Sequence, residues 1–186
     1  MQIFLTLVAL TLASVIVARS RMARMFRLYR GMRVVTCPET RAPAAVRVRA
    51  LRGALTLPFG IGPLRLRSCS RWPARRACGQ SCLEQVTAAP KETRVDTILA
   101  HWYEGRTCAY CGRPFAQASP PTHRPGALSP AGRTVLWHDV APEEIPAALN
   151  THLPVCWDCH IAETFRRKHP ELVVDDPWTE RTGRHR

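Results

Sequence analysis

Eight cysteines are the residues of this chain whose type and spacing most clearly indicate chemistry. Four of them form two Cys-x-x-Cys pairs separated by 44 residues, at Cys108, Cys111, Cys156 and Cys159. Two such pairs can bring four thiolates to one tetrahedral zinc ion, with zinc–sulfur distances of about 2.3 Å. Gly112 suits a tight turn after the first pair, and the second pair is predicted to open a helix, whose N-terminus stabilises thiolate. This set, called site 1, predicts a structural zinc ion.

A second set of four cysteines lies in the N-terminal half of the chain, with less regular spacing. It consists of Cys37, Cys69, Cys78 and Cys82 and is called site 2. Four thiols suit one ion, so the set predicts a second zinc ion, with an iron–sulfur cluster as the alternative. A further interpretation is that these thiols are buried as small hydrophobic side chains. A zinc ion closed by four thiolates has no position for water, so neither set predicts a catalytic residue.

The first 18 residues contain no charged side chain and are typical of a membrane-spanning helix. As a helix they would be about 27 Å long, close to the thickness of one hydrocarbon core. Six arginines and no acid follow within residues 19–33, and positively charged flanks stay in the cytoplasm. We therefore predict a single-pass anchor with its N-terminus outside and the remaining chain in the cytoplasm. Each flank arginine would gain about 1 kcal/mol near anionic lipid, although an ordinary stop-transfer flank explains the same charges.

The second cysteine pair also completes a Cys-x-x-Cys-His sequence at residues 156–160, which is the attachment signature of c-type haem. Haem is attached outside the cytoplasmic membrane, and it would leave Cys108 and Cys111 without a role. We therefore expect zinc rather than haem at site 1. Two disulfides, which the cytoplasm disfavours, or reduced structural thiols would also account for these four cysteines. His160 and His138 are expected to lie near the metal without ligating it.

The positive charge of the chain is confined to its N-terminal half. The net charge is +13, and the basic excess falls entirely within the first 89 residues, because residues 90–186 carry equal numbers of basic and acidic groups. A neutral C-terminal half gives no electrostatic reason to expect a nucleic-acid partner there.

Short β patterns alternate with short helical patterns along the rest of the chain, which predicts an α+β fold. The predicted elements are two strands within 33–52, a loop at 53–63, a strand at 64–69, a short helix within 78–89, a helix at 93–105, a loop at 116–132, a strand at 134–140 and a helix at 156–169. The predicted regions are a transmembrane anchor at 1–18, a basic juxtamembrane segment at 19–33, a first four-cysteine unit at 34–90, a helix plus second four-cysteine unit at 91–174, and a disordered tail at 175–186. We expect metal ions to staple both small units.

The order of elements in the second unit resembles the treble-clef zinc fold, and more loosely a zinc ribbon: a cysteine knuckle, a strand, and a helix that begins on the second cysteine pair. The runs "SRWPARRACGQSC", "CAYCGRPF" and "HLPVCWDCHIAETFRRKHPELV" resemble a group of membrane-anchored, cysteine-rich bacterial proteins with no known activity. This resemblance implies a bacterial origin, hence an inner-membrane location, and metal binding.

A partial resemblance to the HNH nucleases is carried by "CAYCG", "HDVAP" and "CWDCH". These enzymes often stabilise a ββα site with two Cys-x-x-Cys pairs, and the resemblance implies an Asp-His pair, an Asn and a later His in the active site. Here His138 and Asp139 stand in the reversed order, with Asn150 and His160 in the later positions. The reversed pair, the membrane anchor and the neutral C-terminal half argue against DNA cleavage.

The sequence therefore favours a zinc-binding, membrane-anchored adaptor or sensor that has no enzymatic activity and binds a protein partner near the membrane. Two hypotheses of different classes stay open. One is a redox protein that carries an iron–sulfur cluster or haem, and the second is an HNH-like nuclease.

Overall fold

The computed structural model describes residues 1–56, 64–74, 77–115 and 125–173. Within these ranges the chain is a mixture of helices and two small antiparallel sheets. It divides into two compact units, the first made of Met1–Trp102 and Ala141–Pro146, the second of Tyr103–Val140 and Ala147–Arg186. Residues 91–102, predicted to belong with the second four-cysteine unit, thus fall within the first compact unit. The predicted tail at 175–186 lies outside the described residues.

The N-terminal helix α1 extends from Gln2 to Tyr29 without a break. It is long and apolar enough to cross a membrane. The helix continues beyond the apolar segment because the basic stretch that follows is rich in Arg, Met, Leu and Ala, all good helix formers. It ends at Arg30, which is extended, and Gly31 follows with a φ of 101°. The predicted anchor and most of the basic segment are therefore one helix.

The first sheet consists of β1 (Met32–Thr36), β2 (Pro43–Val48) and β3 (Leu66–Cys69), in that order and antiparallel. This confirms the strands predicted within 33–52 and at 64–69. Alternate side chains point inward, because Val46 and Val48 are buried whereas Arg47 between them is exposed. The buried residues of the core that the sheet shares with the helices are Tyr29, Val35, Ala44, Val46, Val48, Ala50, Leu64, Leu66, Cys82 and Val86.

Further helices of the first unit, among the described residues, are α2 (Ala50–Thr56), α3 (Leu83–Ala88), α4 (Val95–Tyr103, which ends one residue into the second unit) and the 3-10 turn Pro142–Glu144. Helix α4 confirms the helix predicted at 93–105. The loop prediction for 53–63 is wrong at 53–56, where the chain is helical. The segment is helical because α2 packs against α1 and buries Ala54 completely, and this packing outweighs the weak helix propensity of Gly53. Residues 57–63 lie outside the described part.

A buried arginine holds the end of α1 to the rest of the first unit. Arg33 is fully buried, and its guanidinium donates to the carbonyls of Leu28 and Pro90 and to Thr93 Oγ1, the last at 2.8 Å. It lies 5.8 Å from the centre of the Tyr29 ring. Burial lowers the pKa of Arg33 to about 10, which leaves it charged near neutral pH. Arg33 was predicted to belong to the basic juxtamembrane segment, but its charge is directed into the protein and not towards a membrane.

The second sheet consists of β4 (Gly126–Leu128), β5 (Thr134–Val135) and β6 (Leu153–Val155), in the order β5-β4-β6 and antiparallel. Helix α6 (Trp157–Lys168) packs against β4 and β5. Helix α5 (Ile145–Thr151) begins in the first unit and continues into the second, and the 3-10 turn Pro170–Leu172 follows α6. Helix α6 confirms the helix predicted at 156–169.

Two sequence predictions for this sheet are wrong. The strand predicted at 134–140 is only two residues long, because residues 137–139 form a turn. The loop predicted at 116–132 contains the central strand β4. Tyr103 explains this placement, since its hydroxyl donates to Gly126 O at 2.5 Å and accepts from Trp137 Nε1 at 2.7 Å. A contact between residues so distant in sequence leaves no local pattern in a Gly/Pro/Ser-rich segment.

Candidate metal centre

The first cysteine pair of site 1 lies in a tight knuckle. Backbone hydrogen bonds close it, from Cys108 N to Arg113 O at 3.0 Å and from Gly112 N to Cys108 O at 2.9 Å. Gly112 has a φ of 68°, a left-handed conformation that glycine adopts without steric cost. The turn brings the sulfurs of Cys108 and Cys111 within 4.8 Å of each other, and the glycine after the pair predicted such a tight turn.

The second cysteine pair lies where β6 leads into α6. Cys156 is the residue before the first helical turn, with extended backbone, and Cys159 lies within that turn. The knuckle and this strand–helix junction are bonded to each other, because Ala109 N donates to Pro154 O at 2.8 Å and Cys156 N donates to Cys108 Sγ at 3.3 Å. These bonds bring the two pairs together across the 44 intervening residues.

The four sulfurs of site 1 converge on a single point. The Sγ atoms of Cys108, Cys111, Cys156 and Cys159 all lie within 4.8 Å of one another, and those of Cys111 and Cys156 are 3.8 Å apart. Two sulfurs bound to one tetrahedral zinc ion at 2.3 Å would be about 3.8 Å apart. A disulfide would need about 2.05 Å, and all four cysteines are free. The donor set and its spacing therefore fit a tetrahedral thiophilic ion.

The electrostatics of site 1 favour a bound cation. A backbone hydrogen bond with Arg113 lowers the pKa of the exposed Cys111 to about 6. Burial instead raises the pKa of Cys156 and Cys159 above the ordinary thiol value. Four neighbouring sulfurs cannot all be thiolates without a positive charge between them, and a metal ion supplies that charge while it displaces the protons.

The two histidines that were expected near the metal have different environments. His160 is 8% exposed, follows Cys159 directly, and its Nδ1 has no hydrogen-bond partner among the described residues. Burial, followed by the charge of Arg167, lowers the pKa of His160. His138 is on the surface, where its Nε2 lies 3.3 Å from Asp139 Oδ1 and both side chains are more than half exposed. His160 is thus buried next to Cys159 of site 1, whereas His138 faces solvent.

The cysteines of site 2 surround a cavity of about 40 Å³ in the first unit. Cys37 follows β1, Cys69 ends β3, Cys78 lies in a loop, and Cys82 directly precedes α3. In the part of the chain that the structure describes, their sulfurs do not form a group as close as that of site 1. Burial, and then the three neighbouring thiols, raise the pKa of Cys82 to about 11. The fold brings the four predicted residues to one place without setting them at metal-ligand spacing.

Sequence reasoning missed Arg113 as a functional residue. Its backbone and side chain both hydrogen-bond Cys111 and lower the pKa of that thiol, and its Nη2 lies 3.3 Å from Asp158 Oδ2 at the start of α6. The available signal was its position, since the residue after the knuckle glycine has its backbone directed at the sulfurs.

Comparisons with protein-family models, with curated proteins and with solved structures give no match to this chain.

Proposed function

We propose that this chain is a membrane-anchored zinc protein whose folded part is a non-enzymatic adaptor or sensor. The convergence of four sulfurs at site 1, all within 4.8 Å of one another, is the observation that carries the proposal. All four donors come from protein side chains, which is typical of structural zinc and leaves no position for a reactive water. A structural zinc site of this kind fixes the conformation of a small unit. We propose that the surface of that unit binds a protein partner.

The second unit is proposed to be a treble-clef zinc unit. The order of its elements supports this proposal: a knuckle with Cys108 and Cys111, the β4–β5 hairpin, and then α6, which starts on the second cysteine pair. The ion would join the knuckle to the N-terminus of α6, where the helix dipole stabilises thiolate charge.

A second zinc ion is proposed at site 2, with an iron–sulfur cluster as the alternative. The shared cavity of its four cysteines supports the proposal. Binding would draw the sulfurs closer together, because each must come within about 2.3 Å of one zinc ion. Visible absorbance with bound iron would favour the cluster and a redox function, whereas a colourless protein would favour zinc.

The anchor is proposed to cross a bacterial inner membrane once, with the folded part in the cytoplasm. The positive charges that follow the apolar segment of α1 support this orientation. A C-terminal phosphatase fusion, which is active only in the periplasm, should be inactive. An active fusion would overturn the orientation and would return haem to consideration.

Metal content of the purified full chain in detergent tests the zinc proposal. Under reducing conditions without added metal, the parent should carry about two zinc ions per chain, one per four-thiolate site. Cys111→Ser should lose the ion of site 1 and retain that of site 2, and Cys78→Ser, the matched control, should do the opposite. A parent that holds no zinc would contradict the proposal.

An HNH-like nuclease is the second candidate, because His160 is buried and, after burial and Arg167, the charges of Asp139 and His138 also act on its pKa. Mg²⁺-dependent nicking of plasmid DNA that His138→Ala abolishes would support it. Absence of nicking by the parent would exclude it in favour of the adaptor.

A further inference from the structure

A basic cleft lies in the first unit beside the end of α1. Among the described residues, its lining combines apolar side chains with arginines that directly follow α1, lie on β2 and β3, or lie near the start of α2, and it contains no acidic residue: Phe26, Arg30, Gly31, Met32, Arg47, Val48, Arg49, Ala50, Leu51, Arg52 and Arg67. The volume of the cleft is about 740 Å³, which is large enough for a small molecule or a headgroup.

The arginines are placed there by the alternation of the first sheet. Arg47 is opposite Met32 of β1 and Ser68 of β3, on the face away from the buried Val46 and Val48. Arg49 continues this alternation past the end of β2, and Arg67 is exposed on β3. The inner face of the sheet builds the core, and the outer face carries the charge.

Four arginines of the cleft have no carboxylate partner within the part of the protein that the structure describes. Among those residues, no carboxylate pairs with Arg30, Arg47, Arg49 or Arg67. Several guanidinium groups around one cleft repel one another unless an anion lies between them, and guanidinium matches phosphate through paired hydrogen bonds. The cleft thus fits a phosphate-bearing ligand.

The apolar part of the lining and the position of the cleft point to a lipid. Phe26 and Leu51 are 38% and 63% exposed, so the cleft offers hydrophobic surface next to its charge. The charge-free segment of α1 ends at Ala18, and Phe26 lies about 12 Å further along the helix axis. A headgroup layer is about 5–8 Å deep, so the cleft lies just beyond the headgroups, where extended arginine side chains can reach a phosphate.

We infer that this cleft binds the headgroup of an anionic phospholipid, with the arginines on the phosphate and Phe26 and Leu51 against the glycerol and upper acyl carbons. The inference rests on the proposed membrane anchoring, but the arginines that it adds, Arg47, Arg49 and Arg67, lie outside the basic segment 19–33. It would hold the first sheet against the bilayer surface and fix the orientation of the folded part.

Native mass spectrometry of the full chain in a nonionic detergent tests the inference, with phosphatidylglycerol and phosphatidylcholine as probes. The parent should retain phosphatidylglycerol in preference to phosphatidylcholine. The triple variant Arg47→Gln, Arg49→Gln, Arg67→Gln should lose about tenfold or more in phosphatidylglycerol affinity. The matched control, Arg133→Gln, Arg166→Gln, Arg167→Gln, removes the same charge from exposed positions of the second unit and should retain the parent affinity.

Three outcomes would overturn the inference: equal losses in the two triple variants, no preference of the parent for phosphatidylglycerol, or displacement of the lipid by millimolar inorganic phosphate or by a short RNA. Zinc content of each variant shows that it is folded. Flotation of the parent with phosphatidylcholine vesicles after a carbonate wash reports the anchor separately. A loss of lipid binding at the cleft can therefore be distinguished from a failure of the anchor to insert into the membrane.

Discussion

The two cysteine sets contain the same four donors but differ in how the fold presents them. Site 1 uses two Cys-x-x-Cys pairs, one in a knuckle and one at the start of α6, each held by its own backbone bonds, and its sulfurs lie within 4.8 Å of one another. Site 2 draws its cysteines from separate places, after β1, at the end of β3 and on either side of a loop. The difference shows that a pair within one turn is positioned locally, whereas four separate donors depend on the packing of the whole unit.

The largest effect is expected from a substitution that disrupts site 1. Cys156→Ser removes a fully buried cysteine of the proposed zinc site, and a structural zinc ion would contribute on the order of 10 kcal/mol to the folding of a small unit. We expect the second unit of the full chain to lose most of its amide protection in hydrogen-exchange mass spectrometry. Cys78→Ser should affect only the first unit, whose core does not depend on metal alone. Parent-like protection of residues 125–173 in Cys156→Ser would contradict a structural role for site 1.

Arg33→Met measures how much the buried arginine contributes to the stability of the first unit, whose four cysteines are not as close together as those of site 1. The variant leaves the carbonyls of Leu28 and Pro90 without their donor, and buried unpaired acceptors cost about 1–3 kcal/mol each. We expect the first unit to be destabilised by about 2–4 kcal/mol in urea, followed by exchange of its own amides. Arg47→Met, an exposed arginine of the same sheet, is the control and should be close to neutral. Similar losses of unfolding free energy for both variants would show that burial of Arg33 adds no stability beyond that of an exposed arginine.

Gly126→Ala should have a smaller effect, confined to the second sheet. A Cβ at this position would lie 2.8 Å from Val135 O, so β4 and β5 would have to separate, at a cost of about 1–3 kcal/mol. Gly79→Ala is the matched control at the rim of site 2, because its Cβ would meet only Ser81 Oγ at 3.8 Å. The readout is the urea midpoint of each variant, and equal midpoints would reject the clash.

Thiol reactivity compares the cysteines of site 1 and site 2 in the unmutated chain. In the metal-free, reduced chain, Cys111 should be alkylated by iodoacetamide first, because its pKa is lowered to about 6. Cys159, whose pKa burial raises the most, should react last, preceded by Cys82, whose pKa is raised to about 11. Mass spectrometry of partly labelled peptides gives the order, and preferential labelling of Cys82 would contradict it.

The pH dependence of this metal-free form follows from the same thiol. The pKa of Cys111 is about 6 when folded and ordinarily 9.0. Its stabilising contribution is therefore complete above about pH 9 and is lost as the pH falls towards 6. Arg113→Gln should raise the pKa of Cys111 only slightly, since the backbone of residue 113 is the main cause of the shift. Alkylation rate against pH measures both, and a large shift in Arg113→Gln would assign the effect to the side chain.

Local patterns predicted the parts of the molecule that local interactions build. The apolar run at the N-terminus predicted α1, and the second cysteine pair predicted the start of α6. Both depend on residues that are neighbours in sequence, as does the knuckle at Gly112. These are also the parts that define site 1, which is why its ligands could be proposed from spacing.

Long-range contacts account for what the sequence did not predict. Strand β4 lies in a Gly/Pro/Ser-rich segment and is held by Tyr103 and by its two neighbouring strands. Helix α2 forms where α1 covers it, and Arg33 is buried because Leu28 and Pro90 supply acceptors. None of these partners is adjacent in sequence, so propensity and alternation could not reveal them.

X-ray absorption at the zinc edge of the full chain, purified without added metal, tests the central claim most directly. The account predicts a first shell of four sulfurs at about 2.3 Å and no light-atom ligand at either site. A nitrogen or oxygen scatterer near ~2.0 Å, or zinc bound at less than one ion per chain, would contradict a closed four-thiolate site at Cys108, Cys111, Cys156 and Cys159.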